Sequence, residues 1–352
     1  MRAGIRVVLL VALTGILGIV YAQSAPAATK NGARCGLNAK LVPTCARQAL
    51  FGAWTGGYPG NWEQRTRAAD GRYGRRVDVV HSYHAPGNSP VPFEAADPIG
   101  AAERRFTAEG RVVLANFKPG LDFAGAATGA HDAVIRKAAQ NIKSLAPHKV
   151  MLALFHEPEN DLSGGAHCTS YKSTRPGNTP ANYRAMWQRA HDIFVSAGVT
   201  NVVWVMNYMS LAKWDCAVKD VWPGNNLVDW VAYDPYPTNG TLGDVSRFPK
   251  LLAALTDTTH AFTGKPYMLA EFGSISCDQQ ATYTFYGRLK AAVDAGTVPN
   301  LRGLVVFDAQ TAVTAGTDIR TRYDCHGGLD QREQTEFDRL ATDPLLEPTV
   351  TN

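Results

Sequence analysis

The feature that most constrains this chain is a rhythm in which short apolar runs alternate with stretches of helical periodicity. Eight β-type runs can be counted: Ala49–Trp54, Val77–Tyr83, Arg111–Phe117, Lys149–Glu157, Asn201–Asn207, Leu227–Tyr236, Lys265–Phe272 and Leu301–Asp308. Most carry Val and Leu on consecutive positions, which is how a strand buried on both faces reads. Pro180 follows Asn178 and Thr179, either of which caps a helix. Tyr183, Met186, Trp187, Ala190, Ile193 and Phe194 then recur at helical spacing before Gly198. Gln279–Ala295 repeats the pattern through Tyr283, Tyr286, Leu289 and Val293 and stops at Gly296. Strands alternating with helices imply a parallel sheet. Eight such units in about 300 residues predict an α/β fold of one closed (β/α)8 TIM barrel rather than an open sheet.

With 352 residues, 45% of them hydrophobic, the chain is long enough for such a core. The expected organisation is a signal peptide over residues 1–27, an N-terminal extension over 28–47, one catalytic barrel over 48–343 and a loosely ordered tail over 344–352. Arg2 and Arg6 precede an apolar run from Val7 to Ala22, followed by small residues. That is the pattern of secretory export, with a retained anchor as the alternative. Loss of those two arginines lowers the formal charge from +4 to +2. A charge so small gives no reason to expect nucleic acid as a partner, and no stable membrane association is expected once the leader is cleaved. The expected product is a secreted, extracellular monomer.

Six cysteines, an even number in an exported chain, point to disulfides. Spacing alone leaves fifteen connectivities open. The strand reading suggests Cys35–Cys45, Cys168–Cys216 and Cys277–Cys325. No CxxC spacing occurs, so no metal site is expected.

In a barrel of this kind the chemistry sits where strands end. The strand ends here offer Trp54; His81, Tyr83 and His84; Asn116 and Lys118; His156 and Glu157; Asn207 and Tyr208; Asp234 and Tyr236; Glu271; and Asp308. Two positions stand out. The apolar run from Met151 ends in His156-Glu157, and the run from Tyr267 ends in Glu271-Phe272-Gly273. Retaining glycoside cleavage needs two carboxyls about 5–5.5 Å apart, one protonated to assist the leaving group and one ionised to attack the anomeric carbon. The 114 residues from Glu157 to Glu271 amount to three βα units and place the pair on the fourth and seventh strands.

The set resembles the large retaining (β/α)8 glycosidase clan, which carries glutamates at the ends of strands four and seven. His156 stands before the first glutamate where most of the clan has Asn. With Asp234-Pro235-Tyr236 on strand six and Leu269-Ala270-Glu271-Phe272-Gly273 on strand seven, the chain is similar to glycoside hydrolase family 26, the β-mannanase family, over roughly residues 48–310. The resemblance implies a mannan endo-1,4-β-mannosidase-like enzyme without a cofactor. Glu157 is then acid/base, Glu271 nucleophile, His156 a glycone contact and Tyr236 the holder of the Glu271 carboxylate. Trp54, Asn116 and Asp234 become sugar contacts or supports. Two departures bear on the substrate. No aromatic follows His156-Glu157 in the next few residues, and the eighth strand ends in Phe307-Asp308 rather than near a Trp. Both concern sugar subsites, so β-mannan leads and β-1,3-xylan or mixed-linkage β-glucan stay open.

Other readings compete. A carbohydrate-binding or wall-associated barrel without catalysis, or a glycosidase from another family of the clan, shares the fold. Glu159 and Asp161 rival Glu157 as acids, but as loop residues they read as solvated or hydrogen-bonded structure. His81 and His84 either line a subsite or pack. Trp187, Trp204 and Trp230 read as core, and Trp54, Trp214 and Trp222 as rim aromatics. His156-Glu157-Pro158-Glu159-Asn160 superficially suggests a zinc protease, but position 160 is not His and Pro158 breaks the required helix.

Overall fold

A computed structural model describes residues 35–58, 60–86, 97–163, 168, 175–274, 278–309, 320–321 and 328–348. The expected leader and the expected Cys277–Cys325 pair lie outside these residues. The eight strands are β1 (Leu50–Trp54), β2 (Val79–His84), β3 (Val112–Phe117), β4 (Val150–Leu154), β5 (Val202–Tyr208), β6 (Trp230–Tyr233), β7 (Tyr267–Leu269) and β8 (Leu301–Phe307). Each pairs in parallel with the next, and β8 closes on β1, so the predicted (β/α)8 barrel is the fold observed.

Alternating strand residues divide the core in two. One face packs outward onto helices such as α1 (Trp62–Arg72), α2 (Ala101–Ala108), α3 (Phe123–Thr128), α4 (Asp132–Lys143), α5 (Pro180–Ser196), α6 (Asp244–Leu255), α7 (Gln279–Ala295) and α8 (Gln331–Ala341). The other fills the barrel with Leu50, Val79, Leu114, Met151, Val203, Trp230, Met268 and Val305. Gly52 allows the close approach of β1 to β2, since a Cβ there would stand 2.6 Å from the Val79 Cβ. Local signals behave as read: the Thr179 hydroxyl caps α5 at Asn182 N, and Gly296 ends α7 with φ +65°.

The base of the barrel is closed by the extension. The Cys35–Cys45 disulfide holds a short loop that places Leu41 in the interior cluster. There the Trp230 indole donates to Lys40 O at 2.7 Å and Lys40 pairs with Asp229 at 2.8 Å. At the other end of the chain, the expected loose tail is packed as far as it is described. Pro344–Leu346 forms a 3-10 turn, Leu346 is buried, and Ala49 N donates to Leu345 O. Among the described residues no helix is long and apolar enough to cross a membrane.

Strand ends differ from expectation where chemistry was expected. The sequence reading ran the fourth strand to Glu157, the sixth to Tyr236 and the seventh to Phe272, whereas these strands stop at Leu154, Tyr233 and Leu269. The reason at β4 is backbone conformation: Phe155 and Glu157 adopt φ of +58° and +49°, a left-handed geometry that no strand continues. Single backbone bonds still tie these segments to their neighbours, Glu157 N to Asn207 O at 3.0 Å and Asp234 N to Tyr208 O at 3.1 Å.

Candidate active site

The loops that leave the C-terminal ends of β2, β4, β6 and β7 bring four acidic or phenolic groups together. Glu271, two residues past β7, is 7% exposed. Its Oε2 accepts from the Tyr236 hydroxyl at 2.6 Å, and its Oε1 accepts from the Tyr83 hydroxyl at 2.5 Å. Burial raises the Glu271 pKa, and both phenols oppose that rise by bonding to the ionised form.

Glu157 faces the same space, close enough to Glu271 for its charge to act on it and within hydrogen-bonding reach of the Asp234 carboxyl. Burial raises its pKa first, the charges of Glu271 and Glu159 raise it further, and Lys118 pulls it down. The Asn160 amide donates to its Oε2 at 3.2 Å, and a hydrogen bond with the Asp234 carboxyl also lowers its pKa. Two phenols hold charge on Glu271, whereas Glu157 has one long amide bond and an acid–acid contact with Asp234. The asymmetry places the proton away from Glu271, on the Glu157–Asp234 side of the site. Strain at Phe155 and Glu157 is the kind of backbone cost that persists where surrounding structure fixes a functional side chain.

The supporting shell is largely buried. Asp234 accepts from the Asn207 amide at 2.8 Å, and burial followed by the charges of Glu271 and Glu157 pushes its pKa well up. The Asn116 amide is buried against the His81 ring, and neither of its atoms makes a hydrogen bond of good geometry within the structure. His156 is half-buried at the rim with its ring 5.3 Å from that of Tyr83. Burial, then the Lys118 charge, keeps its imidazole neutral by lowering its pKa well below the ordinary value. Trp54 is 7% exposed and packs edge-on against Tyr83 at 4.9 Å.

Of the two states expected for Glu159, the hydrogen-bonded one is found: the side chain is fully buried, one oxygen accepts from Met209 N at 3.0 Å, and burial pushes its pKa up to about 8. Asp161 pairs with Lys118 at 2.8 Å, and the Lys118 ammonium also sits 4.9 Å over the Phe155 ring. Trp222 is not a rim aromatic. It is buried, stacks edge-on with Phe262 and donates to Asn225 Oδ1 at 3.0 Å. Trp214 is likewise buried, beside Lys213. His84 packs in a buried cluster with Ser82 and Glu103, and Asp308 is occupied by Arg72, Tyr73 and Thr321. The Cys168–Cys216 disulfide ties the chain beyond β4 to the turn beyond β5, on the Glu157 side of the mouth.

Tyr83 was read only as one strand-end residue among many. Its bond to Glu271 joins positions 188 apart in the chain, and only barrel closure makes them neighbours. The available signal was alternation: residue 83 shares a strand face with His81 and stands at the C-terminal end of β2.

The fold and site together define a (β/α)8 barrel with a differentiated carboxyl pair at its C-terminal mouth. Solved structures share this fold. The GH26 domain of an endo-β-mannanase/endo-β-glucanase from Prevotella bryantii matches with a TM-score of 0.55 at 14% identity, over 85% of this chain and 90% of that one. A β-mannanase from a symbiotic protist of the termite Reticulitermes speratus, complexed with gluco-manno-oligosaccharide, matches at 0.55 and 14%, over 86% and 90%. A Cellulomonas fimi endo-β-1,4-mannanase double mutant matches at 0.54 and 17%, over 85% and 71%. In sequence, the chain is 27% identical over 228 residues to endoglucanase H of Acetivibrio thermocellus, covering 64% of this chain and 24% of that protein. The matched part is thus about a quarter of that relative. No protein-family model matches. The resemblance to family 26 carried by the motifs is met by family 26 domains among the structural neighbours.

Proposed function

We propose that this protein is a secreted O-glycosyl hydrolase of the family 26 type that cleaves a β-linked polysaccharide with retention of anomeric configuration. The observation that carries the reading is the asymmetry of the two carboxyls: Glu271 receives two phenol hydrogens, and Glu157 is half-buried beside other acids. In this reading Glu271 attacks the anomeric carbon as Glu157 passes its proton to the departing glycosidic oxygen. The glycosyl–Glu271 ester is then cleaved by water. Glu157, now ionised, takes the water proton and Glu271 leaves as carboxylate. No cofactor enters either step.

His156 stands beside this pair as a sugar contact, with Asn116, Asp234 and Trp54 as sugar contacts or supports. Tyr236 keeps Glu271 ionised. β-Mannan is the leading substrate, supported by the named activities of the structural neighbours. Endoglucanase H supports the wider class of β-glycans. The leader-like start of the chain and two disulfides support export.

The test is a panel of galactomannan, glucomannan, mixed-linkage β-glucan and β-1,3-xylan, with reducing ends and products followed for the wild type, Glu157→Ala and Glu271→Ala. At least one glycan is cleaved by the wild type, and each variant loses nearly all of that activity while keeping its fold. Binding without release of reducing ends, or normal turnover by either variant, overturns the proposal.

A further inference from the structure

We infer that Tyr83 is a second phenol serving the nucleophile, aligned by His81, and that its main contribution is to the release of Glu271 from the glycosyl-enzyme. This rests on the reading of Glu271 as nucleophile.

The two oxygens of Glu271 are differently served. Tyr236 from the β6 loop covers Oε2, and Tyr83 from β2 covers Oε1 at 2.5 Å. Tyr83 has one hydroxyl hydrogen, and the carboxylate takes it. His81 Nδ1 lies 3.3 Å from the same hydroxyl, and the ring is also held by Asn116 and the Ala270 backbone. His81 is fully buried, and burial lowers its pKa to about 3, which leaves the neutral ring. The Tyr83 hydroxyl is thus the donor to Glu271, and the His81 ring, fixed by its own partners, stands beside the phenol oxygen and positions it.

Packing alone does not account for the hydroxyl. The ring of Tyr83 meets Trp54 edge-on at 4.9 Å and His156 at 5.3 Å, contacts that Phe makes equally well. A buried hydroxyl is costly unless it is bonded, and here it is bonded to a reacting group.

The consequence for the two steps follows from where charge goes. Ester formation consumes the Glu271 charge, so donors to that carboxylate oppose the first step. Ester cleavage restores the charge, so the same donors favour the second. Groups facing Glu271 are Tyr83 from β2, Glu157 from beyond β4, and Asp234 and Tyr236 from beyond β6. The two acids raise its proton affinity when ionised, and the two phenols lower it.

The experiment uses the full chain, Tyr83→Phe and 2,4-dinitrophenyl β-mannobioside, or the matching glycoside of the β-glycan that the wild type cleaves. With this activated leaving group kcat reports ester cleavage and kcat/KM reports ester formation. The expected result is a fall in kcat of roughly tenfold to a hundredfold, as for loss of a hydrogen bond to a charged group, with kcat/KM at its pH optimum unchanged or raised. The acid limb of kcat/KM also moves to higher pH. Should Tyr83→Phe not fold, His81→Leu carries the test: it removes the ring that positions the phenol and gives the same split, smaller in size. Equal falls in both constants, or unchanged constants, with an unmoved acid limb overturn the inference. Glu271→Ala separates the two readings. If it is inactive and Tyr83→Phe shows no split, only the role of Tyr83 falls; if it is active, the nucleophile assignment itself falls.

Discussion

Tyr236 donates its hydroxyl hydrogen to Glu271 Oε2 at 2.6 Å, joining a residue three past β6 to one two past β7. The bond favours the ionised carboxylate against a burial that favours the neutral acid. Tyr236→Phe removes it, so the Glu271 pKa rises and the acid limb of kcat/KM moves to higher pH. Activity falls roughly tenfold to a hundredfold, from about 1.5–3 kcal/mol for a hydrogen bond to a charge. A pH–rate profile checks this, and an unmoved acid limb contradicts it.

Lys118 sets the other limb. Its charge lowers the Glu157 pKa against burial and the charges of Glu271 and Glu159. Lys118→Met removes that pull and leaves Asp161 without its 2.8 Å partner. Both changes raise the Glu157 pKa, so the acid form persists to higher pH. The base limb of kcat/KM is expected to move upward, and a downward move contradicts the electrostatic account.

Glu159 links stability to pH. Its pKa is raised by burial from an unfolded value near 4.5 to about 8. The folded protein then holds a proton that the unfolded chain has lost. Its contribution is full below the unfolded pKa and fades as pH rises through the folded one. The wild type should melt at a higher temperature at pH 5 than at pH 8. Glu159→Gln keeps an acceptor for Met209 N and cannot ionise, so it should flatten that difference. Glu157, Asp234, Glu271 and Asp78, whose pKa values burial also raises, leave the rest of the slope in both proteins. Thermal melts at the two pH values decide it, and equal slopes for wild type and variant count against the assignment.

The Cys168–Cys216 bridge closes a 48-residue separation beside the Glu157 loop. Cross-links over such loops stabilise by about 2–4 kcal/mol. The double variant Cys168→Ser/Cys216→Ser should lower the denaturation midpoint by a corresponding amount while the barrel persists. Chemical denaturation with and without reductant measures it, and an unchanged midpoint contradicts the estimate.

The barrel was legible because each strand is buried on both faces, so its run of Val, Leu and Ala stands out against amphipathic helices such as α5. The site was legible where chemistry interrupts those runs, as at His156-Glu157 and Glu271. Strand ends were overrun at β4 because positive φ at Phe155 and Glu157 has no signature in residues that are neither Gly nor Asn. For Glu159 the sequence left solvated and hydrogen-bonded roles open, and packing against β5 decides for the second. Trp222 was misplaced because its partner Phe262 is 40 residues away and brought near only by the fold.

The central claim is that Glu271 and Glu157 divide a retaining mechanism between them. The most direct test is proton NMR of the anomeric signals during hydrolysis by the wild type of whichever β-glycan or aryl glycoside it cleaves. The account predicts that the β-anomer appears first and the α-anomer grows in only by mutarotation. First appearance of the α-anomer would contradict it.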